Sequence, residues 1–95
     1  MSALPFQYLT LRAVPRVERG EFVNVGVVLF CDALDYLASA SLVDADRLRA
    51  LSPSIDLEGL SRALDAVADV CAGRPGQGRP TFERVGQRFG WLAAP

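Results

Sequence analysis

Phe22-Val23-Asn24-Val25-Gly26-Val27-Val28-Leu29-Phe30-Cys31 is the stretch on which the fold turns. It is dense in β-branched and aromatic residues, which suit a pleated, half-buried surface, so it is expected to form a strand. Upstream, Phe6 to Val14 has the same character and ends at Pro15, which has no N–H for a ladder. Between the two lies Pro15-Arg16-Val17-Glu18-Arg19-Gly20-Glu21, where Gly20 can supply the positive φ that such a loop needs. Residues 6–31 are therefore expected to form an antiparallel hairpin.

Side-chain alternation predicts the faces of this hairpin, because directly opposed residues point the same way. With Arg12 opposite Asn24, Leu11 faces Val25 and Leu9 faces Val27. Leu9, Leu11 and Ala13 then share the core face with Val23, Val25, Val27, Leu29 and Cys31. The other face carries Phe6, Tyr8, Thr10 and Arg12 against Asn24, Gly26, Val28 and Phe30. That face is too apolar for plain solvent exposure, so something is expected to cover it. Phe6, Tyr8 and Phe30 are the interface residues this predicts.

Downstream, Asp32-Ala33-Leu34-Asp35 reads as a turn. Tyr36 to Leu42 reads as a third strand, with Tyr36, Ala38, Ala40 and Leu42 inward. Asp44 can cap a short helix through Leu51 that Pro53 ends. Ser54 or Asp56 can cap a longer one from Leu57 to Ala72. Leu57, Leu60, Leu64, Val67 and Cys71 recur on one face of that helix, Glu58 and Arg62 form an i,i+4 pair, and Gly73 suits its end. Arg74 to Pro80 reads as a flexible loop. Thr81 is expected to cap a last helix with Phe82, Val85, Phe89 and Leu92 on one face. The fold class is α+β: an antiparallel three-stranded meander followed by two or three helices packed on one face, in a single domain over residues 1–95.

Bulk properties narrow the function. The chain has 95 residues, 51% hydrophobic and 22% charged, which is globular composition. Its apolar runs fall far short of the roughly 20 residues of a membrane span. The N-terminus lacks a basic n-region and an apolar h-region, so a cytoplasmic location is expected. The two cysteines, Cys31 and Cys71, are expected to be buried thiols. No metal-ligand spacing and no cofactor motif is present. The net charge of −1 gives no general attraction to nucleic acid. The last 26 residues do carry four arginines, Arg74, Arg79, Arg84 and Arg88, near Phe82, Phe89 and Trp91. That pattern can bind single strands by stacking, but helical spacing accounts for the aromatics better as core.

Candidate chemistry concentrates in the hairpin. Arg12, Arg16, Glu21 and Asn24 could form a small anion or nucleotide pocket, since arginine with an amide and a carboxylate suits such ligands. The alternative is that the loop charges, Glu18 and Arg19 included, are solvated and that Glu21 and Asn24 pin the turn. Asn24 stands out because an amide among valines needs a partner. The chain contains no histidine and no Gly-x-Ser-x-Gly elbow, which argues against nucleophilic catalysis. Asp32 and Asp35 fit a turn better than a metal site, and Gly76-Gln77-Gly78 between Arg74 and Arg79 fits a surface connection better than a phosphate cradle.

The run Glu18-Arg19-Gly20-Glu21-Phe22-Val23-Asn24-Val25-Gly26, within Tyr8 to Leu29, resembles the opening of a bacterial family catalogued as domain of unknown function 3037. Asp46-Arg47-Leu48 and Phe89-Gly90-Trp91-Leu92 fit it as well. The family carries no assigned activity. The resemblance implies an accessory role beside kinases similar to the HipA toxin type. It also implies a further segment past Pro95, adding sheet and helix, which this chain lacks. The expected function is a non-enzymatic protein-interaction or regulatory module, acting as a homo-oligomer or with a protein partner. A ligand-binding domain or enzyme using Arg12, Glu21 and Asn24 is the alternative, and nucleic-acid binding through the arginine-rich C-terminal third is another.

Overall fold

The computed structural model describes residues 4–16 and 20–94, with backbone alone at Pro15 and Arg16. Strand β1 (Gln7–Arg16) pairs antiparallel with β2 (Glu21–Cys31), and β2 with β3 (Tyr36–Ser41), in the sheet order β1-β2-β3. A 3₁₀ turn, Asp32–Leu34, joins β2 to β3 and closes on Asp35 at φ 50°, a conformation aspartate tolerates. Helices α1 (Ala45–Leu51), α2 (Leu57–Ala72) and α3 (Val85–Ala93) follow and pack on one face of the sheet.

The helix starts are set by local chemistry. Asp44 accepts a hydrogen bond from the Arg47 N–H at 3.1 Å, and Asp56 accepts one from the Gly59 N–H at 2.9 Å. Each satisfies a donor the first turn leaves unpaired. Gly73 ends α2 at φ 75°, as expected of a C-terminal glycine. The last helix differs from expectation. It begins at Val85, not at Thr81, and Arg84 is its N-cap residue without a side-chain cap.

Arg12 pairs with Asn24, the register from which the faces are read, but Leu11 pairs with Gly26, so Val25 is an extra residue in β2. This bulge reverses the alternation beyond it. Leu9 therefore faces Val28, not Val27, and Val28 and Phe30 enter the core while Val27 and Leu29 turn outward. Phe30, expected at an interface, is only 8% exposed. The reversal passes to β3 through its pairing. Leu37 and Ser39 face the core, whereas Tyr36 is exposed and Leu42, beyond the strand, is 80% exposed. Gly26 leaves room for close neighbours beside the bulge: a Cβ there would lie 2.8 Å from the Ala40 carbonyl oxygen and 3.1 Å from Leu11 Cδ1.

The bulge also divides the core. Ahead of it, Val23 and Val25 join Ala13, Leu48 and Leu64, beneath α1 and the first half of α2. Beyond it, Val28 and Phe30 join Cys71 and Phe89, beneath the second half of α2 and α3. Leu11, opposite Gly26, packs against both groups.

Candidate interaction surface

The outer face of the sheet follows from the observed register. Tyr8, Leu29 and Ala38 form one cross-strand row, and Thr10, Val27 and Ala40 another. Phe6 continues β1 by one residue and falls opposite Cys31, whose other neighbour is Tyr36. The rings of Phe6 and Tyr36 meet edge-to-face over the end of β2, with centroids 6.4 Å apart and planes at 68°. Cys31, flanked by this pair in the register, is fully buried. Phe6, Leu29 and Tyr36 remain exposed, and Tyr8 is 70% exposed.

At the other end of this face, the Arg12 guanidinium lies 4.5 Å from the centre of the exposed Phe22 ring. Such a cation–π contact at the surface contributes about 0.5–1 kcal/mol. Arg12 and Asn24 are neighbours across the ladder, so the structure brings these two predicted residues together. Glu21 does not join them. Strand alternation sets it with Val23, toward the opposite face, and it is half-buried there. Arg16 pairs with Glu21 along the backbone. Val17, Glu18 and Arg19 lie outside the described residues. Asn24 is exposed on the outer face, so its amide is open to solvent and is not buried among the valines.

Three of the four C-terminal arginines are engaged within the chain. Arg74 pairs with Asp69 at 2.8 Å. Arg79 donates to the Ala66 carbonyl at 2.9 Å, with its guanidinium against Gly76. Arg88 donates to the Phe82 carbonyl at 2.7 Å and to the Glu83 carbonyl at 2.9 Å. The loop expected to be flexible is thus tied to α2 by Arg74 and Arg79. The Glu58–Arg62 pair spans 4.0 Å between highly exposed side chains, and such pairs contribute little.

A polar cleft of about 470 Å³ lies between Asp32 and Asp35 of the 3₁₀ turn and Arg84 to Gln87 at the start of α3. Among the described residues, no group of three His, Cys, Asp or Glu side chains can hold a metal ion, and no helix is long and apolar enough to cross a membrane. Cys71 is buried in the core, and that burial pushes its thiol pKa up.

The residues that sequence reasoning missed on this face are Leu29 and Tyr36, both assigned inward. An isolated glycine inside an apolar strand is the signal that could have found them, because such a glycine marks a bulge. Compared with known proteins, residues 8–95 match a protein-family model described as "Protein of unknown function (DUF3037)". No curated protein and no solved structure matches the chain.

Proposed function

The chain belongs to the DUF3037 family of unknown function, and from that premise we propose that it is a non-enzymatic protein-interaction module. The observation that carries this reading is the outer sheet face, where Phe6, Tyr8, Leu29 and Tyr36 are exposed side by side. A contiguous apolar patch is costly in water and marks a surface meant to be covered. Tyrosine and phenylalanine are also enriched at the centres of protein interfaces. At the other end of the same face, Arg12 stacked on Phe22 presents an arginine and an aromatic, the kinds of residue that dominate binding hot spots.

The partner is a protein, and a kinase similar to the HipA toxin type is the first to try, as the family resemblance implies. The test is co-purification of such a kinase with the wild-type chain and with Tyr8→Ser/Leu29→Ser. The kinase is expected to co-elute with the wild type and to be lost from the variant at unchanged melting temperature. Equal capture by both chains, or by neither, sinks the reading.

A further inference from the structure

The two edges of the sheet are built differently. β1 contains Arg12, Pro15 and Arg16, and its pairing with β2 shifts register twice. Charge, proline and bulges are what proteins use to stop an edge from recruiting another strand. β3 has none of these: Tyr36-Leu37-Ala38-Ser39-Ala40-Ser41 is uncharged, lacks proline and runs in unbroken register with β2.

The backbone groups of this edge can be placed. The Leu42 N–H donates to the Val25 carbonyl at 2.8 Å. Alternate residues of an antiparallel strand turn their N–H and C=O to the same neighbour. Tyr36, Ala38 and Ala40 therefore bond to β2, and Leu37, Ser39 and Ser41 turn their backbone groups outward. No backbone bond outside the ladder reaches these three among the described residues. An open groove of about 260 Å³ runs beside the edge, between Leu37 and Ser39 on one side and Ala68 and Ala72 of α2 on the other.

We propose that β3 is a self-association edge, on which β3 of a second copy pairs antiparallel about a two-fold axis at Ser39 and continues the three-stranded sheet of each copy. Ser39 then opposes Ser39 of the second copy, and Leu37 opposes its Ser41. All of these residues carry outward backbone groups, so the register is self-complementary, as a two-fold interface requires. Charge selects the occupant. Arg74, at the groove, is held by Asp69 at 2.8 Å, so it is already engaged and is not a free anchor for an acidic peptide. β3 is also the only strand of the three without a charged residue, so a neutral groove meets a neutral strand. This edge adjoins the outer face and shares Ala38 and Ala40 with it, but its backbone pairing does not depend on what covers that face.

The test is light scattering of the full chain over a concentration series, with two charge variants. The register sets Ala38 opposite Ala40 of the second copy, on the outer face of β3. Ala38→Lys/Ala40→Lys brings lysines together across the axis, whereas Ala38→Lys/Ala40→Glu brings lysine to glutamate. The wild type is expected to dimerise, the double-lysine variant to bind itself about tenfold more weakly or worse, and the lysine–glutamate variant to recover. A wild type that stays monomeric at every concentration overturns the proposal. So does a dimer equally strong in both variants, and so does a wild-type dimer that Tyr8→Ser/Leu29→Ser abolishes, because association then belongs to the outer face.

Discussion

The ring of Phe30 stacks on the ring of Phe89, with centroids 4.7 Å apart and 17° between planes. The contact joins β2 to α3 and exists because the bulge at Val25 turns Phe30 inward. Truncating a buried aromatic removes its transfer free energy and leaves a cavity. Phe30→Ala is expected to cost about 3–5 kcal/mol in urea unfolding followed by circular dichroism. Phe6→Ala, on the open face, is expected to cost well under half of that. Equal costs would mean that Phe30 is not a core residue.

Gly26 is the second consequence of the bulge. Replacing a strand glycine with alanine ordinarily gains about 0.5–1 kcal/mol of backbone entropy. Here the new methyl would meet the Ala40 carbonyl oxygen at 2.8 Å, and a backbone atom held in the ladder cannot step aside cheaply. Gly26→Ala is expected to destabilise by about 1–3 kcal/mol, read as a lower melting temperature. A melting temperature at or above that of the wild type would show that β2 and β3 separate more easily than their register suggests.

The contrast between helices and hairpin shows what the sequence could reveal. Helices α1 and α2 were legible because their signals are local: Asp44 as one cap, Ser54 or Asp56 as the other, of which the structure uses Asp56, Gly73 as a stop, and one apolar face between Leu57 and Cys71. The hairpin's extent was legible for the same reason. Its phase beyond Gly26 was not, because Val25, Val27, Val28, Leu29 and Phe30 are apolar at odd and even positions alike. Alternation cannot choose between faces there, and long-range packing against Phe89 decides. Just ahead of α3, Arg88 reaches back to the Phe82 and Glu83 carbonyls, a tie that propensity does not encode. On the candidate surface, Phe6, Tyr8 and the Arg12–Asn24 pairing were legible. Phe30 was misplaced by the phase reversal, and Glu21 was grouped with residues from which strand alternation separates it.

Cys71 supplies a pH signature. Burial raises its thiol pKa from the ordinary 9.0, against weaker opposing effects of the Ser39 hydroxyl and the charge of Arg88. A group whose folded pKa is raised contributes stability that is complete below the unfolded pKa and is lost as pH rises toward the folded one. Stability should therefore hold through neutral pH and fall above about pH 9, where the unfolded thiol ionises first. Cys71→Ala should flatten that part of the fall. Melting temperatures of both chains between neutral and alkaline pH give the comparison, and parallel curves would place the alkaline sensitivity elsewhere.

Arg88 is expected to act through structure, and a comparison with Arg84 can establish it. The Arg88 guanidinium bonds the Phe82 and Glu83 carbonyls and sits so close to Gly73 that a Cβ there would lie 2.7 Å from its Nη2. It thereby links the end of α2 to the segment leading into α3. Arg88→Met keeps most of the aliphatic stem but strands the Phe82 carbonyl, with an expected cost of about 1–3 kcal/mol. Arg84 is exposed at the start of α3, and Arg84→Met is expected to change stability by less than about 0.5 kcal/mol. If single-stranded nucleic acid used this arginine-rich third, Arg84→Met would weaken binding in a low-salt gel shift while leaving stability alone. An unshifted probe for wild type and Arg84→Met alike, with only Arg88→Met destabilised, assigns Arg88 to holding the fold.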